Sequence, residues 1–103
     1  MEFQVEFTKK AVKDLKKLPK NLQKQVLKET LRLESDPFVF KKKIKRIRGI
    51  AFPCYRLRID CKSSSYRLFY GIEQSVVFVL RVISKKDADR VIRQIGRVGF
   101  PID

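Results

Sequence analysis

Pro37 divides the chain into two hydrophobic rhythms, and no other feature restricts the fold as much. Before it, apolar residues recur at helical spacing: Ala11, Val12, Leu15 and Leu18, then Leu22, Val26, Leu27, Thr30, Leu31 and Leu33. After it the period falls to two, which is the pattern of strands. Residues 2–7 also alternate, with Phe3, Val5 and Phe7 on one face of a half-buried strand. Thr8 is placed to cap a first helix, with Phe7 and Val12 as its hydrophobic staple, and that helix runs to about Leu18. Pro19 breaks it and suits the first turn of a second helix over about 20–35. Asp36-Pro37 stops the second helix, because the residue before a proline is driven out of helical backbone.

Strands follow at about 44–48, 54–60, 65–71 and 75–83, with turns at 61–65 and from Gly71 to Gln74. Val76 to Leu80 is apolar at every position, so this strand is central and covered on both faces. Ser84 and Asp87 have capping-box spacing and open a last helix over about 85–96, with Ala88, Val91, Ile92 and Ile95 inward. The expected fold is α+β: an N-terminal strand, a helical hairpin packed on a mostly antiparallel four- to five-stranded sheet, and a C-terminal helix. No repeat or linker divides the chain, and 103 residues hold one core, so a single domain over 1–103 is expected.

Charge narrows the function. The 25 Lys and Arg outweigh 11 Asp and Glu for a net +14, an excess that points to a polyanionic partner. With 44% hydrophobic residues the chain is no disordered basic tail. No apolar run approaches the roughly 18 residues of a membrane span. The acidic, alternating residues at the start are unlike a secretory signal, so a cytoplasmic location is expected. Histidine is absent, which excludes imidazole acid–base catalysis and imidazole metal ligands. Cys54 and Cys61 are too few for a zinc set. On one extended strand they stand roughly 23 Å apart, well beyond the reach of a disulfide. No glycine-rich phosphate loop is present, and no metal or cofactor is called for.

Lys41, Lys42, Lys43, Lys45, Arg46, Arg48, Arg56 and Arg58 lie in an acid-free stretch over 41–58. On the strand over 54–60, Tyr55, Leu57 and Ile59 share one face and Arg56 and Arg58 the other. If Arg67 of the next strand points the same way, three guanidiniums converge. Such a face is either a cradle for phosphodiester oxygens or an ordinary solvated surface, and the lack of acid favours the cradle. Lys20, Lys24, Lys28 and Arg32 form a stripe on the second helix, and Lys9, Lys10, Lys13, Lys16 and Lys17 crowd the first. An RNA contact and a plain wet helix face fit both groups equally. Phe38, Phe40, Phe52 and Phe100 fall in loops or ends, where core or rim packing is a simpler role than stacking on bases. Asp60 ends the cationic strand, and Asp87 and Asp89 suit a helix start, so no acid–base pair of carboxylates stands out. Any catalysis therefore rests on cations that position a phosphodiester and stabilise its transition state.

The segments Cys54-Tyr55-Arg56-Leu57-Arg58-Ile59, Ser64-Ser65-Tyr66-Arg67-Leu68-Phe69-Tyr70 and Val77-Phe78-Val79-Leu80-Arg81-Val82 resemble the RelE/ParE toxin superfamily. So do the Phe7-Thr8-Lys9-Lys10-Ala11 opening, Leu15-Lys16-Lys17-Leu18-Pro19, and Lys45-Arg46-Ile47-Arg48-Gly49 before the cationic strand. In RelE-type members the resemblance implies an endoribonuclease that cleaves mRNA in the ribosomal A site without a metal, the ribose 2′-hydroxyl attacking the adjacent phosphate. It implies catalytic roles for Arg56, Arg58 and Arg67, and for Lys85 or Lys86 at the leaving 5′-oxygen. Lys43, Lys45, Arg46 and Arg48 would hold ribosomal RNA or the message. The implied partners are an acidic RelB-like antitoxin, the ribosome and mRNA, with operator DNA reached only through the antitoxin. Two departures stand out. Arginines replace the lysines that the best-known members carry on the cationic strand, and no tyrosine follows Tyr70. A guanidinium is a poor proton acceptor, so the general base is unassigned. Two other readings share the resemblance: a ParE-like inhibitor of DNA gyrase, and an impaired toxin serving mainly in a repressor complex.

Overall fold

The computed structural model describes residues 3–37, 44–50, 52–62 and 64–98. In chain order they form β1 (Gln4–Phe7), α1 (Lys9–Lys16), α2 (Lys20–Ser35), β2 (Ile44–Arg46), β3 (Cys54–Cys61), β4 (Ser64–Glu73), β5 (Val76–Ser84), a 3-10 turn (Lys85–Asp87) and α3 (Ala88–Val98). Among the described residues the strands make one sheet in the order β1-β5-β4-β3-β2. β1 runs parallel to β5 and the other pairings are antiparallel. This is the α+β arrangement expected from the change of period at Pro37.

β5 lies between β1 and β4 and is covered on both faces, as its unbroken apolar run requires. Val77, Val79 and Val82 join Leu57, Ile59, Leu68 and Tyr70 in a core under the α1–α2 hairpin. Leu80 and Ile83 join Phe69, Cys54, Val91 and Ile95 in a second core under α3. A bulge opposite Phe69 and Tyr70 separates these sets, since Phe69 pairs with Arg81 and Tyr70 with Val79, leaving Leu80 extra. Thr8 anchors this point. Its Oγ1 accepts from the Ala11 amide at 3.2 Å, the expected helix cap, and donates to the Leu80 carbonyl at 3.1 Å. Beyond Val79, β5 has outrun β1, and Asp14 of α1 takes over from the missing strand. Asp14 Oδ2 accepts from the Val82 amide at 3.0 Å and from Arg81 Nε at 2.6 Å.

Several local expectations shift. α1 ends at Lys16 rather than near Leu18, and Asp14 is the buried side chain of its last turns. Val12 is exposed, so it makes no buried staple with Phe7. On α2 the inward stripe is Leu22, Val26, Thr30 and Leu33, while Leu27 and Leu31 are 48% and 63% exposed. The hairpin presents a single edge of α2 to the sheet, and those two leucines lie around the helix from it. Both hairpin turns are tighter than expected. Gly71 is a paired, buried residue inside β4, and the chain reverses at Gln74–Ser75, with Gln74 at φ 55°. Ser84 Oγ bonds Asp87 Oδ2 at 3.3 Å instead of closing a capping box on the backbone, so a 3-10 turn precedes α3. Cys54 and Cys61 are free thiols at opposite ends of β3. Phe52 packs against the second core, while Phe38, Phe40 and Phe100 lie outside the described residues.

Candidate nucleic-acid interface

The register of the sheet assembles the site. Lys45 pairs with Arg56, Arg58 with Arg67, and Asp60 with Ser65. Directly paired residues project from the same face, so these six share the side opposite the helical hairpin. The second core and α3 cover that face over Phe69, Leu80 and Ile83 and reach Cys54 of β3 and Ile47 beyond β2. The arginines take up the remainder.

Arg67 is the unusual member, because it is only 8% exposed. Its Nη1 donates to Ser65 Oγ at 2.7 Å and to the Tyr66 carbonyl at 3.2 Å. Burial first, and then the charges of Arg56 and Arg58, pull its pKa below the usual guanidinium value, with Asp60 opposing them. Arg56 and Arg58 are therefore close enough to repel the Arg67 guanidinium. Arg58 pairs with Asp60, Nε to Oδ2 at 3.2 Å, with side chains 44% and 53% exposed. An ion pair so wet is worth little and yields readily to a competing anion. Ser65 Oγ donates to Asp60 Oδ1 at 2.9 Å, completing a path from Arg67 through Ser65 and Asp60 to Arg58. Arg56 has no carboxylate partner among the described residues.

The other expected residues divide. Lys45 is exposed on the arginine face. Arg46 pairs with Tyr55 and so belongs to the opposite face, its guanidinium 6.0 Å from the Tyr55 ring, which in turn stacks on Tyr70 at 5.4 Å. Arg48 is exposed beside Gly49, whose φ of 81° makes the turn into β3 possible. Lys85 and Lys86 are exposed on the 3-10 turn. That turn begins next to Ser84, which pairs with Tyr66, so both lysines start at the Arg67 end of β4. Lys43 lies outside the described residues. The cations thus gather as Arg56, Arg58, Arg67 and Lys45, with the two lysines adjacent and Arg46 apart.

Sequence reasoning missed Asp60 and Ser65. The alternation that put Arg56 and Arg58 on one face also puts Asp60 there, so that signal was present. Ser65 was hidden among three consecutive serines until the register was known. Two further groups are set aside by burial. It pushes the Cys54 thiol from 9.0 up to about 12, far from a reactive thiolate. Burial also raises Tyr70, whose hydroxyl donates to the Pro37 carbonyl at 2.8 Å. Among the described residues no three metal-ligating side chains come together.

The fold and the site define a small basic α+β protein whose open sheet face gathers Lys45, Arg56, Arg58 and Arg67. Residues 5–89 match the family described as the ParE toxin of the type II toxin–antitoxin system parDE. An Escherichia coli protein described as a RelE-like toxin is 29% identical over 91 residues, covering 86% of this chain and 90% of that protein. The structure of a double mutant of E. coli toxin RelE in the free state superposes with a TM-score of 0.74 at 25% identity, covering 95% of this chain and 99% of that one. The archaeal RelE–RelB complex from Pyrococcus horikoshii gives 0.69 at 26% identity, covering 82% and 97%. The chain belongs to the RelE/ParE superfamily, the toxins of type II toxin–antitoxin systems. No described helix is long and apolar enough to cross a membrane.

Proposed function

We propose that this chain, acting as a single domain, is a RelE-type endoribonuclease that cuts mRNA in the ribosomal A site and is held in check by an acidic antitoxin. The observation that carries the reading is the Arg58–Arg67 cross-strand pair with Arg56 beside it, three like charges gathered on one face and one of them buried. A fold gains nothing from such a cluster, whereas a phosphodiester gains a bidentate grip. Arg67 and Arg58 bind the scissile phosphate and neutralise the charge that builds on it in the transition state, with Arg56 assisting. Lys85 or Lys86 protonates the departing 5′-oxygen. Lys43, Lys45, Arg46 and Arg48 hold ribosomal RNA or the message, with Lys45 the member that shares the arginine face. The RelE–RelB complex among the structural relatives supports an antitoxin partner.

The test is to map 5′ ends of message on purified ribosomes with and without the protein. New ends inside A-site codons are expected, and Arg67→Ala should reduce their rate by a hundred- to a thousand-fold or so while the protein stays folded. Unimpaired cleavage by that variant would refute the phosphate role. The ParE description of the matching family favours one rival, inhibition of DNA gyrase by binding. Broken DNA with intact messages after induction would establish that rival instead.

A further inference from the structure

The arginine face has the cations for phosphate chemistry but needs a group that takes a proton. Guanidiniums cannot serve, because they stay protonated at any working pH. Asp60 is the carboxylate that the register sets among them. It stands two residues from Arg58 on β3 and directly opposite Ser65 on β4, with Arg67 two residues beyond Ser65. One oxygen is tied down: Oδ1 accepts from Ser65 Oγ at 2.9 Å, and Ser65 is itself held by Arg67 Nη1 at 2.7 Å. The other oxygen, Oδ2, meets only the exposed Arg58 Nε at 3.2 Å among the described residues. From behind, Gln25 Nε2 of α2 donates to the Asp60 carbonyl at 3.0 Å and steadies the backbone at this point.

We infer that Asp60 is the general base of the proposed ribonuclease, taking the proton of the attacking 2′-hydroxyl. This rests on the nuclease reading above. A phosphate arriving on Arg58 and Arg67 competes for the Arg58 guanidinium and displaces Asp60 Oδ2 from it. Ser65 keeps Oδ1 in place, so the freed oxygen faces the ribose next to the bound phosphate. The O2′–H bond breaks and its proton passes to Asp60, while O2′ bonds to phosphorus. The bond from phosphorus to O5′ then breaks, and O5′ takes a proton from Lys85 or Lys86. The products are a 2′,3′-cyclic phosphate and a free 5′-hydroxyl; Asp60 returns its proton to solvent, and the lysine takes one back from it.

The full chain is assayed in two ways on programmed ribosomes. Single-turnover cleavage is measured on an all-ribose message, and affinity on a message with a 2′-deoxy A-site codon that cannot be cut. Asp60→Asn keeps the bond from Ser65 and removes a negative charge from a cationic face. It should bind the deoxy message at least as tightly as the parent, yet cleave the ribose message at least about a hundred-fold more slowly. Asp60→Glu should recover part of the rate. Cleavage by Asp60→Asn within about threefold of the parent overturns the role, and faster cleavage would mark Asp60 as a brake. Loss of binding and cleavage together would reduce Asp60 to a positioning residue for Arg58. A parent chain that cuts no message on ribosomes overturns the nuclease reading itself.

Discussion

At 8% exposure beside Arg56 and Arg58, the Arg67 guanidinium is desolvated and repelled at the same time. Neither effect helps the native state, because each disfavours the charged form that the unfolded chain carries freely in water. Arg67→Met keeps the stem and removes the charge, so it should raise stability by about 1 kcal/mol, a few degrees in melting temperature. A lower melting temperature would mean that its bonds to Ser65 and Tyr66 outweigh the repulsion. The identities of Arg56, Arg58 and Arg67 were legible in the chain because an alternating strand declares its own two faces. Their convergence was conditional, since it depends on the β3–β4 register. Asp60 went unread for a different reason: beside so many cations, one acid looks like the end of a strand.

Among the elements, β5 and α1 are locked by one buried contact that no local pattern foretold. Asp14 stands three residues after Ala11 and four before Leu18, so spacing puts it on the inward face of α1, where an acid is out of place; it is buried there and satisfies both Arg81 and the Val82 amide. Asp14→Ala strips a partly buried cation of its partner and orphans a backbone donor. It should cost about 2–4 kcal/mol in urea unfolding, and a loss under about 1 kcal/mol would show that water replaces the carboxylate. Helix and strand limits fell close to expectation where Pro19, Pro37 and Thr8 punctuate the chain. They depart from it at the turns, where β3 and β4 pair further toward their shared hairpin and β4 runs on to Glu73 while β5 begins only at Val76. Pairing there is decided by a neighbouring strand, not by the residues of the turn.

For the molecule as a whole, a net +14 on a chain with a radius of gyration of 12.5 Å is a strong field. If Arg56, Arg58 and Arg67 meet the scissile phosphate and Lys45 a second one of single-stranded message, affinity should fall about sevenfold between about 50 and 200 mM salt. A steeper loss, measured by titration on programmed ribosomes, would bring the α2 stripe of Lys20, Lys24 and Lys28 into the contact, and a flat response would exclude phosphate binding. Local order was already present in the chain: where helices give way to strands, which strand is central, which strand is cationic. Those properties depend on residues a few positions apart. Placing Arg58 against Arg67, Asp60 against Ser65 and Asp14 against Arg81 required folding, because those partners are distant in the chain and meet only when backbone hydrogen bonds set the register.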